Sequence, residues 1–81
     1  MAKPSPSHAQ DASLVAIGEA IRIARKTKSI SQEALALTAG IDRSYLGGIE
    51  RGEHNVALVN LVKICNALNI KLYDLMAQAD V

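Results

Sequence analysis

The sequence predicts an all-α fold, a compact five-helix bundle in one domain, and three observations lead there. Hydrophobic residues make up 49% of the 81 positions and are nearly all aliphatic, with two tyrosines and neither Phe nor Trp. Apolar residues recur three and four positions apart, the helical period, and no stretch alternates as a strand would. Capping residues and glycines fall between the periodic stretches, where helices start and stop.

Met1 to Ala12 is polar, carries Pro4 and Pro6, and lacks periodicity. It reads as a flexible arm over residues 1–12, followed by a helical domain over 13–79. Ser13 stands as a cap, and Leu14, Ile17, Ile21 and Ala24 then define a first helix to about Thr27. Arg25, Lys26 and Lys28 sit at its C-terminal end, where the helix dipole favours cations. Ser31 caps a second helix from Gln32, with Glu33 in its first turn, and Gly40 ends it. Asp42 caps a third helix whose apolar face is Leu46 and Ile49, closed by Gly52. A fourth, about Ala57 to Leu68, carries Leu58, Leu61, Val62, Cys65 and Leu68 as its apolar face. A shorter fifth, about Leu72 to Gln78, buries Leu72, Leu75 and Met76.

Composition excludes several classes. A chain this short buries only about 60–65% of the surface its unfolded form exposes, so its stability margin is thin. The single cysteine, Cys65, rules out an internal disulfide and a multi-cysteine zinc site, and reads as a small core residue. No apolar run is long enough to span a membrane, and the N-terminus lacks a signal-peptide core, which places the protein in the cytoplasm. Neither a phosphate-cradling glycine loop nor a metal-ligand cluster nor a nucleophile–base arrangement is present, so the chain reads as no enzyme, with no catalytic residues, metal or cofactor. Net charge is only +1, and composition by itself does not suggest a nucleic acid.

Pattern does. Two helices joined by a three-to-four-residue turn containing glycine form the helix-turn-helix unit, here over residues 31–51, whose second helix enters the major groove. The crossing demands a small residue facing the turn, which Ala36 supplies. The turn demands a residue tolerant of positive φ, which Gly40 supplies. Apolar anchors must hold the third helix, and Leu35, Ile41, Leu46 and Ile49 stand where they are needed.

Ser31-Gln32-Glu33-Ala34-Leu35-Ala36, Gly40-Ile41-Asp42-Arg43-Ser44-Tyr45-Leu46, Ile49-Glu50-Arg51-Gly52 and Asn55 resemble the phage repressor and Cro (XRE-like) family of helix-turn-helix proteins. The resemblance covers residues 13–76. Arg43-Ser44-Tyr45-Leu46-Gly47-Gly48 and the stand-alone form are similar to the controller proteins of restriction–modification operons.

That resemblance implies a sequence-specific regulator of transcription, repressor or activator, acting as a homodimer on a palindromic double-stranded operator. Arg43 and Ser44 fall at the first exposed positions of the recognition helix, where this family touches base edges. Arginine offers guanine O6 and N7 a bidentate fork, whereas serine specifies little. Tyr45 has two readings, packing on helix two or contacting phosphate or thymine. Gln32 occupies the place of an amide that bonds backbone phosphate, and a helix N-terminus favours phosphate in any case. Arg51, His54 and Asn55 follow as phosphate candidates, with Asn55 also placed to hold the loop backbone. Arg25 and Glu50 are implied to form a partly buried ion pair between helices one and three. Arg22, Lys26 and Lys28 read as a solvated face, with contact to phosphate as the alternative.

The dimer contact is expected at the last two helices, at Leu72, Tyr73 and Met76, because the first three are committed to core and DNA. RNA polymerase is a further partner implied by such a regulator, recruited or blocked. The chain departs from the family at Gly47 and Gly48, mid-helix, each costing about 1 kcal/mol relative to Ala. They are either a tolerated weakness or bare backbone for close approach to the groove. Ala57 and Lys71 stand where polar caps are usual. The rival reading is a protein-interaction module of antitoxin or co-regulator type, with DNA secondary, which predicts an apolar surface away from helix three.

Overall fold

Asp11, rather than Ser13, caps the first helix, its carboxylate accepting from the backbone N–H of Ser13 at 2.9 Å. The structure is a computed structural model and describes residues 11–81. Most of the expected arm, residues 1–10, lies outside the described residues.

Five helices follow: α1 (Ala12–Thr27), α2 (Gln32–Ala39), α3 (Arg43–Glu50), α4 (Leu58–Leu68) and α5 (Leu72–Ala79). No strand occurs among the described residues. The first two connections are set by local chemistry. Ser29 takes a left-handed conformation after α1, letting the Ile30 N–H return to the Arg25 carbonyl. Ser31 Oγ accepts from the Ala34 N–H at 3.0 Å and starts α2. Gly40, at φ 72°, ends it, and the Ile41 N–H returns to the Ala36 carbonyl at 3.0 Å. Asp42 Oδ2 accepts from the Tyr45 N–H at 3.1 Å and starts α3. The last two helices begin at Ala57 and Lys71 with no side-chain cap bond.

Ile21, Leu35, Leu46, Ile49, Ile64, Cys65, Leu68 and Leu75 are the largest fully buried side chains. They come from all five helices: α1 packs on α3 and α5, α2 on α3 and α4, and α4 on α5. Burial pushes the Cys65 thiol pKa up, as befits a core residue.

The buried face of α4 differs from the expected one. Leu61, Ile64, Cys65 and Leu68 are buried, while Leu58, Val59 and Val62 are exposed. Both sets satisfy helical spacing, because α4 is apolar around most of its circumference, and only the neighbours decide which side is covered. In α5, Leu75 is buried, Leu72 and Met76 are half-buried against the core, and Tyr73 is 71% exposed.

Candidate nucleic-acid interface

The turn between α2 and α3 is Gly40, Ile41 and Asp42. Ala36, facing it, is 2% exposed, which leaves no room for a larger side chain where the two helices cross. Asp42 also accepts a hydrogen bond from the Ser44 hydroxyl. That bond, with the one from the Tyr45 backbone, holds the Asp42 carboxyl below the usual carboxylate range. With its proton committed to Asp42, Ser44 Oγ presents acceptor lone pairs to its surroundings.

Arg43 is exposed on the first turn of α3. Beside it runs a groove of about 100 Å³ lined by Gln32, Arg43, Ser44, Gly47 and Arg51. Gln32, at the start of α2, is half-buried and donates from Nε2 to Glu50 Oε1 at 3.0 Å. Its amide also lies against Gly47, where an added Cβ would stand 3.1 Å from Arg51 Nη1 and 3.6 Å from Gln32 Oε1. Arg51 is exposed and paired with Glu53, Nε to Oε2 at 2.8 Å and Nη2 to Oε1 at 3.2 Å. The pair raises the Arg51 pKa and lowers that of Glu53. Asn55 lies exposed in the following loop.

Behind this surface, Arg25 of α1 forks onto Glu50 of α3. Arg25 Nε donates to Oε2 at 2.8 Å and Nη2 to Oε1 at 3.1 Å, while Nη1 reaches the Ile30 carbonyl at 2.9 Å. Glu50 therefore gathers donors from α1 and α2 and ties the end of α3 to both. Arg22 pairs with Glu19 on the surface, and Lys26 and Lys28 are exposed.

Two positions differ from their sequence reading. His54 is not a surface residue: only 7% of it is exposed, and its ring packs on Tyr45 with centroids 5.0 Å apart. Gly48 supplies the space, which a sequence scan cannot see. Tyr45 packs on His54, and its hydroxyl accepts from Asn60 Nδ2 of α4 at 3.3 Å. Sequence reasoning also passed over Gly18, where a Cβ would come 2.3 Å from the Ile49 carbonyl oxygen and 2.7 Å from that of Glu50. The signal was available, since a glycine inside a helix often marks a close crossing.

Residues 21–75 match the helix-turn-helix family. This chain belongs to that family. The helix-turn-helix chain is similar in structure to the restriction-modification controller protein C.AhdI from Aeromonas hydrophila, with a TM-score of 0.78 and 50% identity over 79% of this chain and 97% of that one. It is also similar to the master regulator for biofilm formation SinR, solved in complex with DNA, with a TM-score of 0.70 and 36% identity over 74% of this chain and 97% of that one. In sequence it is 41% identical over 56 residues to a hypothetical transcription factor of Neisseria meningitidis serogroup B, covering 69% of this chain and 53% of the relative. The helix-turn-helix chain thus spans about half the length of that relative. Among the described residues, no helix is long and apolar enough to cross a membrane, and no group of three or more His, Cys, Asp or Glu gathers to hold a metal.

Proposed function

We propose that the chain is a sequence-specific, double-stranded DNA-binding regulator of transcription in the cytoplasm, of the restriction–modification controller type, acting as a homodimer on a palindromic operator. The observation that carries this reading is Arg43, exposed at the head of a helix whose other end is fixed by Arg25, Glu50 and Gln32. A guanidinium on a rigid, protruding helix end is what bidentate guanine reading requires. In this reading Arg43, Ser44 and Tyr45 face base edges, and Gln32, Arg51 and Asn55 hold phosphates along the groove between α2 and α3. Arg51 would exchange Glu53 for phosphate. His54, being buried, supports the helix instead of touching the backbone.

One recognition helix reads too few base pairs to select a site, so two copies are required, with half-sites about 34–36 Å apart. The apolar side chains left exposed on α4 and α5, Leu58, Val59, Val62 and Tyr73, are assigned to the second copy. Leu72 and Met76 then support that face from beneath. A dimer placed over or beside a promoter would block or recruit RNA polymerase.

The same exposed apolar face would suit the rival reading, a module that binds another protein with DNA secondary. Selection from randomised duplexes, followed by mobility shifts at low and moderate salt, separates the two. Recovery of a palindrome supports the operator reading; duplexes without a shared sequence would overturn it.

A further inference from the structure

His54 lies in the connection after α3, and its imidazole rests directly on the bare backbone of that helix. A Cβ added to Gly48 would stand 2.4 Å from His54 Nε2 and 2.6 Å from Cδ2. Nε2 is buried and makes no hydrogen bond among the described residues, so packing and not a bond at that nitrogen holds this edge of the ring. The other neighbour of that ring is Tyr45, tilted 57° to it. Tyr45 and Gly48 are three positions apart and share one face of α3. Tyr45 is therefore fixed at two points, its ring by His54 and its hydroxyl by Asn60. Glycine inside a helix is unfavourable relative to alanine, and the group nearest the missing Cβ at position 48 is the imidazole of His54. Bare backbone kept for close approach to DNA does not account for it, because the imidazole covers that spot.

We propose that Gly48 and His54 are one co-dependent pair whose task is to position Tyr45 for DNA, making His54 a positioning residue for operator recognition. This rests on the DNA-binding reading above. The two glycines of α3 then have separate uses: Gly47 lies along the groove shared with Gln32 and Arg51, and Gly48 seats a ring.

The test is a cycle of four full-length proteins: wild type, Gly48→Ala, His54→Ala and the double variant. Each is melted and titrated with the duplex recovered from wild-type selection and with a random duplex of equal length. Gly48→Ala should melt earlier than wild type, because the new methyl displaces the imidazole. In the His54→Ala background the same change should raise the melting temperature, because only the gain in helix propensity remains. His54→Ala should lower the preference for the selected duplex by on the order of tenfold, while random-duplex binding changes little. His54→Phe, which keeps a flat ring on Tyr45 but has no nitrogen, should retain most of the preference. Equal losses on both duplexes for His54→Phe would make His54 a phosphate contact and overturn the proposal, as would a Gly48→Ala effect of the same sign in both backgrounds. A wild type with no preferred duplex removes the DNA reading and this role together. A preference that His54→Ala leaves intact removes the role alone.

Discussion

Arg25 and Glu50 meet in a two-pronged contact, 2.8 and 3.1 Å long, where their side chains are only 11% and 2% exposed. The carboxylate could not remain there without its donors, since an unpaired buried charge is costly. Arg25→Ala should therefore destabilise the protein by about 3–5 kcal/mol, a large share of the about 5–15 kcal/mol typical of a whole domain. Arg43→Ala should do the opposite kind of damage. Its melting curve should shift by no more than about 0.5 kcal/mol in stability, while operator binding weakens by about 1–3 kcal/mol and random DNA is bound nearly as before. Melting curves and titrations at one salt concentration check both. An Arg43→Ala protein that melts early, beside a stable Arg25→Ala protein that has lost the operator, would reverse the two roles.

Gly18 allows α1 and α3 to approach until a methyl group would collide with the backbone of Ile49 and Glu50. Backbone cannot swing aside as a flexible side chain does. Gly18→Ala should lower the urea midpoint, with a cost of about 1–3 kcal/mol from overpacking, despite the helix propensity alanine brings. A raised midpoint would mean that the crossing is looser than these distances.

Acid should weaken the start of α3. The Asp42 carboxyl is held below its ordinary value in the folded protein by Ser44 and the Tyr45 backbone. Its contribution is thus complete above the unfolded value of about 4 and is lost as pH falls through the lower folded value. Asp42→Asn keeps a side-chain acceptor at the N-cap but not the charge, so wild type should melt above the variant at pH 7 and the gap should close as pH falls toward about 3. Glu53, shifted the same way by Arg51, keeps some acid dependence in either protein. Parallel pH profiles for the two proteins would show that Asp42 contributes nothing through its charge.

Self-association should depend on α4 and α5. Val59→Asp and Tyr73→Asp place charges on side chains that are 60% and 71% exposed, so the monomer should fold while the dimer weakens. Sedimentation equilibrium reads the constant, and a melting curve confirms the fold. If both substitutions leave the dimer constant unchanged, the two copies meet at another face.

What was legible in the sequence was what neighbours along the chain decide. Ser31, Gly40 and Asp42 act within four residues of themselves, and each stands in the structure at the helix end its chemistry suggests. The family follows from the same stretch, and the match over residues 21–75 includes it. Hidden features belong to contacts between distant segments. Spacing alone says nothing about Arg25 meeting Glu50, and the pairing entered only through resemblance. Val62 and Ile64 are equally apolar, so only packing reveals that Ile64 is inside. His54 reads as a surface residue until Gly48, six positions earlier, is seen to lack the atom that would exclude it.

Ala57 and Lys71 open the last two helices without a side-chain bond, and the consequence is a division of adaptability within so small a chain. The front of the molecule is joined by contacts with fixed directions: Ser31 to Ala34, Asp42 to Tyr45, Arg25 and Gln32 to Glu50. The rear coheres through aliphatic burial at Ile64, Leu68 and Leu75, which tolerates sliding and substitution. Mutational drift can therefore reshape the α4–α5 surface, and with it the choice of partner, at little cost to the geometry of α3. Drift at Glu50 has no such latitude, because its carboxylate accepts from Arg25 and Gln32 at once and a neutral or shorter side chain would leave one of them unmet.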